Sequence, residues 1–444
     1  MIVDHEGRQR EFAPVLGRPD GRAMIQRTRS RCGYHEIQYF YDQRGQLEWV
    51  RDCGDRVIRL AHDARGRLVE LHLPHPEAEG LYRHRRYAYD GEGDLVEVED
   101  SLGHRWRFEY ITHLLTRETD RNGLRFYFAY DGLGEDAWCV RTWGDGGIYD
   151  HEIAYDKQSH ATFVTNSLGH TTQYFMNVAG QVIKVVDPLG SKTCFEYDPR
   201  TLQQIAITDP LGQRNWVELD DRRDCVALHQ ADGATNTRSY DPQLRVLARS
   251  VEPHGADYRW DHDSAGRMRA RIGPLGDITR YDYDHGLLSA ILDPDGVGQR
   301  FEYDVHKNLV AARRSDSNCT LVTRDRLGRV ITHQNRRGGT QRRVWDTEGR
   351  QLELREPHGV VRHFEYDAEA NLLAASYAGR RIDFEYTARN RPSLRREAGT
   401  TIRLEYDTEV QLRSVDDEAG NQHSLEFRPI RSALGAACGP MAIA

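Results

Sequence analysis

Tyr41-Asp42-Gln43-Arg44-Gly45-Gln46-Leu47 is the stretch whose reading decides the fold. The phrase returns as Tyr89-Asp90 with Gly93, Tyr130-Asp131 with Gly134, Tyr197-Asp198, Tyr303-Asp304, Tyr366-Asp367 and Tyr406-Asp407. Aligned on the aromatic position before the aspartate, here called the slot, the 444 residues divide into nineteen repeats. The slots are Tyr41, His62, Tyr89, Tyr110, Tyr130, Tyr155, Met176, Tyr197, Leu219, Tyr240, His262, Tyr283, Tyr303, Arg324, Trp345, Tyr366, Tyr386, Tyr406 and Phe427. They lie 20 to 22 residues apart, except for 27 before Tyr89 and 25 before Tyr155. Twelve of the 22 tyrosines occupy slots, where random placement would put about one. Fifteen slots are followed by Asp, and eight have Gly four residues on.

A second phrase falls midway between slots. Asp187-Pro188-Leu189-Gly190, Asp209-Pro210-Leu211-Gly212 and Asp293-Pro294-Asp295-Gly296 are joined by Glu252-Pro253-His254-Gly255 and Glu356-Pro357-His358-Gly359. Proline presets φ and glycine accepts φ > 0, so these read as tight turns. The Asp-x-x-Gly after each slot reads as a second turn, its carboxylate bonding the backbone two residues on. Between turns, Arg105-Trp106-Arg107-Phe108-Glu109-Tyr110 and Arg362-His363-Phe364-Glu365-Tyr366 alternate aromatic and charged residues with period two. That is the period of a strand. Each repeat is therefore predicted to be two strands and two turns, and the fold all-β. Slot tyrosines recurring once per repeat are expected to stack in register across the sheet.

The composition is polar for a chain of this length, 38% hydrophobic and 29% charged. A thick sandwich core is excluded; water reaches at least one face. Net charge is −8 with both signs interspersed, which argues against nucleic acid as a partner, since that needs a basic stripe. The seven cysteines, Cys32, Cys53, Cys139, Cys194, Cys225, Cys319 and Cys438, are odd in number and lack metal-site spacing. They do not form a disulfide framework, and folding in a reducing cytoplasm is expected. Met1-Ile2-Val3-Asp4-His5-Glu6 has no secretory character. With no apolar run of about 18 residues, no membrane insertion is expected.

The Tyr-Asp phrases, such as Phe195-Glu196-Tyr197-Asp198 and Phe301-Glu302-Tyr303-Asp304, with interleaved Asp-Pro-Leu-Gly turns, resemble the bacterial Rhs, or YD-repeat, proteins. The repeat is also similar to parts of insecticidal toxin-complex shells and of animal teneurins. The resemblance covers about residues 35–427, leaving 1–34 as a lead-in and 428–444 as a tail outside the repeat. It implies antiparallel hairpins spiralling into a hollow shell that encloses a C-terminal toxin polypeptide. It also implies delivery into competing bacteria with secretion spike proteins as partners, type VI secretion above all. The protein would then be cytoplasmic before export, and afterwards secreted or at the cell surface. Nineteen two-strand repeats make a sheet about 180 Å wide, which closed in one turn is a ring roughly 60 Å across. On that estimate the chain is a partial shell. The family's self-cleavage motif, Pro-x-x-x-x-Asp-Pro-x-Gly-Leu, is not found. The alanine-rich tail from Arg428 suggests a fragment carrying neither release motif nor toxin.

No catalytic, metal or cofactor residues are predicted. The 20 histidines follow repeat spacing, not zinc-site spacing. Asp293-Pro294-Asp295-Gly296 lacks the spaced ligands of a calcium loop. Adjacent acids such as Asp220-Asp221 point to opposite faces of a strand and make no acid–base pair. The residues expected to matter are architectural: slot tyrosines, their aspartates, and turn Pro and Gly. Two rival functions remain, a carbohydrate-binding adhesion module and a polysaccharide-degrading enzyme. The enzyme would need a local break in the repeat, and the long spacings before Tyr89 and Tyr155 are the places to look.

Overall fold

A computed structural model describes residues 1–4, 7–16, 17, 21–316, 318–418 and 422–424. Slot Phe427 and the tail 428–444 lie outside the described residues. Forty strands, mostly of five to seven residues, form one antiparallel sheet, and the described helix is a single 3-10 turn at Asp145–Gly147. Three strands, Ile2–Val3, Gln9–Pro14 and Ala23–Arg29, precede the first repeat, and Ala23–Arg29 pairs with Glu36–Tyr41. The lead-in is thus part of the sheet. Sequence neighbours pair as hairpins, and the ladders do not close into a barrel.

The chain falls into two blocks. The first comprises Met1–Tyr89, Glu97–His104 and Asn236–Phe364, the second Asp90–Val96, Arg105–Thr235 and Glu365–Ala444. In each, side chains alternate between an apolar and a charged face. Val50 opposes Ile58 and Leu60 opposes Leu71 on one face, while Trp49 opposes Arg59 and Arg59 opposes His72 on the other. No large side chain among the described residues is fully buried, and the buried apolar residues include five alanines. Stability therefore comes from ladder hydrogen bonds and cross-strand pairs, not from a thick core.

The two kinds of turn predicted from the sequence are one turn used twice. After a slot, Asp42 N–H donates to the Gln46 carbonyl and Gly45 N–H to the Asp42 carbonyl. Asp42 Oδ1 accepts from the Arg44 and Gln46 amides at 2.8 and 2.9 Å. Midway, Asp187 does the same with Gly190, Leu189 and Ser191, and Asp209 with Gly212, Leu211 and Gln213. Around Gly296 only the backbone part recurs, with Gly296 N–H donating to the Asp293 carbonyl. Proline is incidental to this turn; the aspartate cap and the left-handed fourth residue define it. Gly45, Gly190, Gly212 and Gly296 hold φ of +73° to +83° there.

Val410 takes the glycine position after Tyr406 with φ +58°, a conformation costly for a β-branched residue. Val410→Gly is therefore expected to stabilise the protein by about 1 kcal/mol, strain relief exceeding the added chain entropy. A chemical-denaturation midpoint measures it; an unchanged or lower midpoint would show that the turn is unstrained.

Candidate functional site: the slot ladder and the seam

Most slots lie just after a break in register of their hairpin; Tyr155, whose hairpin runs in unbroken register, is an exception. The shift falls between Phe40 and Tyr41, Ala129 and Tyr130, Glu196 and Tyr197, Glu302 and Tyr303, and Glu405 and Tyr406. A bulge bends the strand and re-aims its side chain. The slot side chain then reaches back to a carbonyl of the preceding repeat. Tyr41 Oη donates to Ile25 O at 2.7 Å, Tyr89 to Leu68 O at 2.9 Å and Tyr130 to Leu115 O at 2.9 Å. Tyr197 donates to Val182 O at 2.8 Å, Tyr303 to Leu288 O at 2.9 Å and Tyr406 to Pro392 O at 2.8 Å. The non-tyrosine slots Trp345 and Arg324 do likewise, to Val330 O at 2.8 Å and Leu309 O at 3.0 Å. A donor at the end of a flat or long side chain is what these slots share, whereas Met176 and Leu219 fill theirs without one. Burial pushes the phenols of Tyr130, Tyr197 and Tyr303 above their ordinary pKa.

The ring contacts among the described residues pair no slot with another slot; the slots are tied by hydrogen bonds instead and, in places, by a cation over the ring. Arg67 bonds Asp63 at 2.8 Å and lies 4.5 Å from the Tyr89 ring centre; Arg267 does the same with Asp263 at 2.7 Å and Tyr283 at 4.8 Å. Of the predicted aspartates, Asp90, Asp304 and Asp407 cap their turns as Asp42 does, and Asp198 caps a turn one residue longer through the Arg200 and Thr201 amides. Backbone donation from Thr201, opposed by burial, holds the Asp198 carboxyl below its usual range. Gly93 occupies the turn with φ +111°. Asp131 instead spans a longer loop, accepting Trp138 N–H at 2.7 Å, and Gly134 lies inside that loop. Asp367 accepts Asn371 N–H at 2.8 Å, and Tyr366 precedes it at the end of strand Val361–Tyr366.

The structure also assembles a contact that sequence reasoning missed. Within the first block, segments 247 to 273 residues apart lie edge to edge. Lys307 Nζ donates to Tyr34 O, Arg56 to Leu327 O and Arg326 to Ala78 O. Ser101 N–H donates to Glu348 Oε1 at 3.0 Å, and Arg85 makes a two-pronged pair with the same carboxylate at 2.7 and 2.8 Å. Within the second block, Arg121 N–H donates to Glu369 Oε1 at 2.8 Å and Ser167 N–H to Glu409 Oε1 at 2.9 Å, across 248 and 242 residues. The chain therefore meets itself about twelve repeats on, not after all nineteen as the one-turn estimate had it. The common feature is a glutamate three residues after a slot, in Trp345-Asp-Thr-Glu348, Tyr366-Asp-Ala-Glu369 and Tyr406-Asp-Thr-Glu409. Each clasps the second residue of a midway turn. His306 and Leu327, at the same offset, meet Gly54 and Arg56 in the first block.

Burial works to raise the Glu348 carboxyl. Hydrogen bonds from Arg85 and from the Ser101 hydroxyl and amide, with the Arg85 charge, outweigh it and hold the pKa down at about 2. Away from the seam, Glu92, Asp94 and His113 come within 4.8 Å, a group able to offer three metal ligands that the sequence spacing did not reveal. His113 Nδ1 is already bonded to Asp94 at 2.8 Å, which raises its pKa. The long spacing before Tyr89 is a loop whose His75 Nδ1 accepts the Glu77 and Ala78 amides, replacing the usual aspartate cap.

A family model described as RHS Repeat matches residues 89–125. The chain is 26% identical over 372 residues to the probable deoxyribonuclease RhsB of Dickeya dadantii, covering 77% of this chain and 25% of that protein. It is 27% identical over 314 residues to the toxin protein Tse5 of Pseudomonas aeruginosa, covering 64% and 23%. It is 24% identical over 438 residues to the double-stranded DNA deaminase toxin A of Burkholderia cenocepacia, covering 94% and 30%. The chain thus spans about a quarter to a third of the curated relatives it matches. In fold it is similar to the crystal structure of TcdB2-TccC3-TEV, with a TM-score of 0.53 at 12% identity, covering 89% of this chain and 30% of that one. Residues 89–125 thus match an RHS repeat, and the chain is similar in sequence to parts of Rhs and Tse5 toxin proteins and in fold to the TcdB2-TccC3-TEV structure.

Proposed function

We propose that the chain is wall material: a non-enzymatic stretch of a shell that encloses a toxin polypeptide and serves its delivery between bacteria. The observation that carries this reading is the seam. A ribbon of hairpins that clasps its own earlier turns resists opening, as a container must. The names of its relatives support the toxin, and their greater length leaves room for one outside the matched region. In this reading residues 35–427 are the wall and 1–34 its lead-in, with 428–444 beyond the repeat. The slot tyrosines, their aspartates and the turn residues serve architecture, not chemistry. Secretion spike proteins are the partners that delivery would require.

Co-expression with the toxin region of Tse5 tests the enclosure. The toxin segment is expected to co-purify with the chain and to survive trypsin that degrades it alone. Equal digestion with and without the chain would overturn the reading. Delivery is tested by contact competition: deleting the gene is expected to cost the producer its advantage over a susceptible neighbour, and an unchanged outcome would remove that role.

A further inference from the structure

The residue three after a slot is Glu at 348, 369 and 409, but Arg at 389. Arg389 stands against the second irregular stretch of the repeat, where the 3-10 turn Asp145–Gly147 and Tyr149 (φ +49°) replace the ordinary midway turn. Its guanidinium carbon lies 3.8 Å from the centre of the Phe126 ring and 4.5 Å from that of Tyr149. Its Nε is buried with no hydrogen-bond partner. Burial lowers its pKa, although the charges of Glu118 and Asp120 and the Tyr149 phenol oppose that.

Asp120, whose charge reaches Arg389, caps its own turn through the Asn122 and Leu124 amides, and other acids of the block are engaged as well. Asp145 accepts from Tyr127 Oη and the Arg125 amide, and Asp150 pairs with Arg141 at 2.8 and 2.7 Å. Glu369 is held by Arg121, and Glu409 by Ser167 and His151. Arg389 and Arg391 have no carboxylate among the described residues. Both line a cavity of about 640 Å³ with Phe126, Phe128, Tyr149 and His151, all within the second block. That volume is within the usual range for small-molecule sites.

We propose that this cavity is a binding site for an anion, carboxylate or phosphate, carried on a flat apolar body. Guanidinium groups match the two-oxygen edge of either anion, and the aromatic walls suit a ring beside it. At 348, 369 and 409 a glutamate of the chain supplies a carboxylate to the seam; at 389 the charge is inverted, and the matching anion would come from outside. The site does not depend on what the wall encloses.

Calorimetric titration of the full chain with phenyl phosphate, benzoate and inorganic phosphate tests it. Phenyl phosphate or benzoate is expected to bind saturably at one site, more tightly than inorganic phosphate, and which of the two wins identifies the anion. Arg389→Met keeps the chain over Phe126 and removes the charge; it is expected to weaken binding about tenfold, the loss of one charge-assisted hydrogen bond. Should that variant unfold, Arg391→Gln, which also lines the cavity, carries the same expectation. No saturable binding up to about 10 mM, or affinity unchanged in the folded variant, would overturn the site and leave Arg389 as a strut between two rings.

Discussion

Tyr197→Ala is expected to destabilise its part of the sheet by about 2–3 kcal/mol, and Tyr197→Phe by about 1 kcal/mol. The alanine change removes a half-buried ring and the bond to Val182 O; the phenylalanine change removes the bond alone. Because the bond that Tyr197 makes is to the neighbouring repeat, the loss is local. Hydrogen exchange followed by mass spectrometry should show amides of Val182–Val186 and Gln204–Thr208 losing protection while those of Glu36–Tyr41 keep theirs. Uniform loss along the chain would mean the slot acts on the whole fold at once. Equal effects of Phe and Ala would mean that the hydroxyl tie, not the ring, does all the holding.

The second large effect belongs to Glu348. Its folded pKa is depressed to about 2 from an ordinary 4.5, so its contribution is present above the ordinary value and is lost as pH falls through that window. Allowing for partial screening, the pH-dependent part is on the order of 1–2 kcal/mol. Glu348→Ala should cost about 2–3 kcal/mol at neutral pH, because Arg85 and the Ser101 amide lose their partner in a region with little water. Denaturation midpoints should fall more steeply from pH 5 to pH 2.5 for the natural protein than for Glu348→Gln. Parallel profiles would place the acid sensitivity elsewhere.

The repeat, the strands and most turns were legible because they are local. The Tyr-Asp phrase encodes a bulge, an aspartate cap and a left-handed fourth residue within a few positions of one another. What the slot does was only half legible: the periodic tyrosine signals contact between repeats, but its hydroxyl bond to a backbone carbonyl leaves no mark on the partner residue. Trp345 and Arg324 hinted at it, since tryptophan and arginine share with tyrosine a terminal donor and not a ring stack. The seam was illegible for a different reason. Which turns meet depends on twist accumulated over about twelve repeats, and no local pattern states that sum. The glutamates at 348, 369 and 409 were visible as a cluster at one offset, but only the fold gives them Ser101, Arg121 and Ser167. Arg389 became informative only as the exception among them.

Disulfide trapping tests the seam most directly. Ser101 Oγ and Thr347 Oγ1 are 2.7 Å apart, as are Ser167 Oγ and Thr408 Oγ1, one pair in each block. The doubly substituted proteins Ser101→Cys/Thr347→Cys and Ser167→Cys/Thr408→Cys should each form an intramolecular disulfide under mild oxidation, identified by mass spectrometry of the linked peptides. Native protein in which neither pair links, while all four new thiols react freely with a small alkylating agent, would contradict a chain clasped to itself.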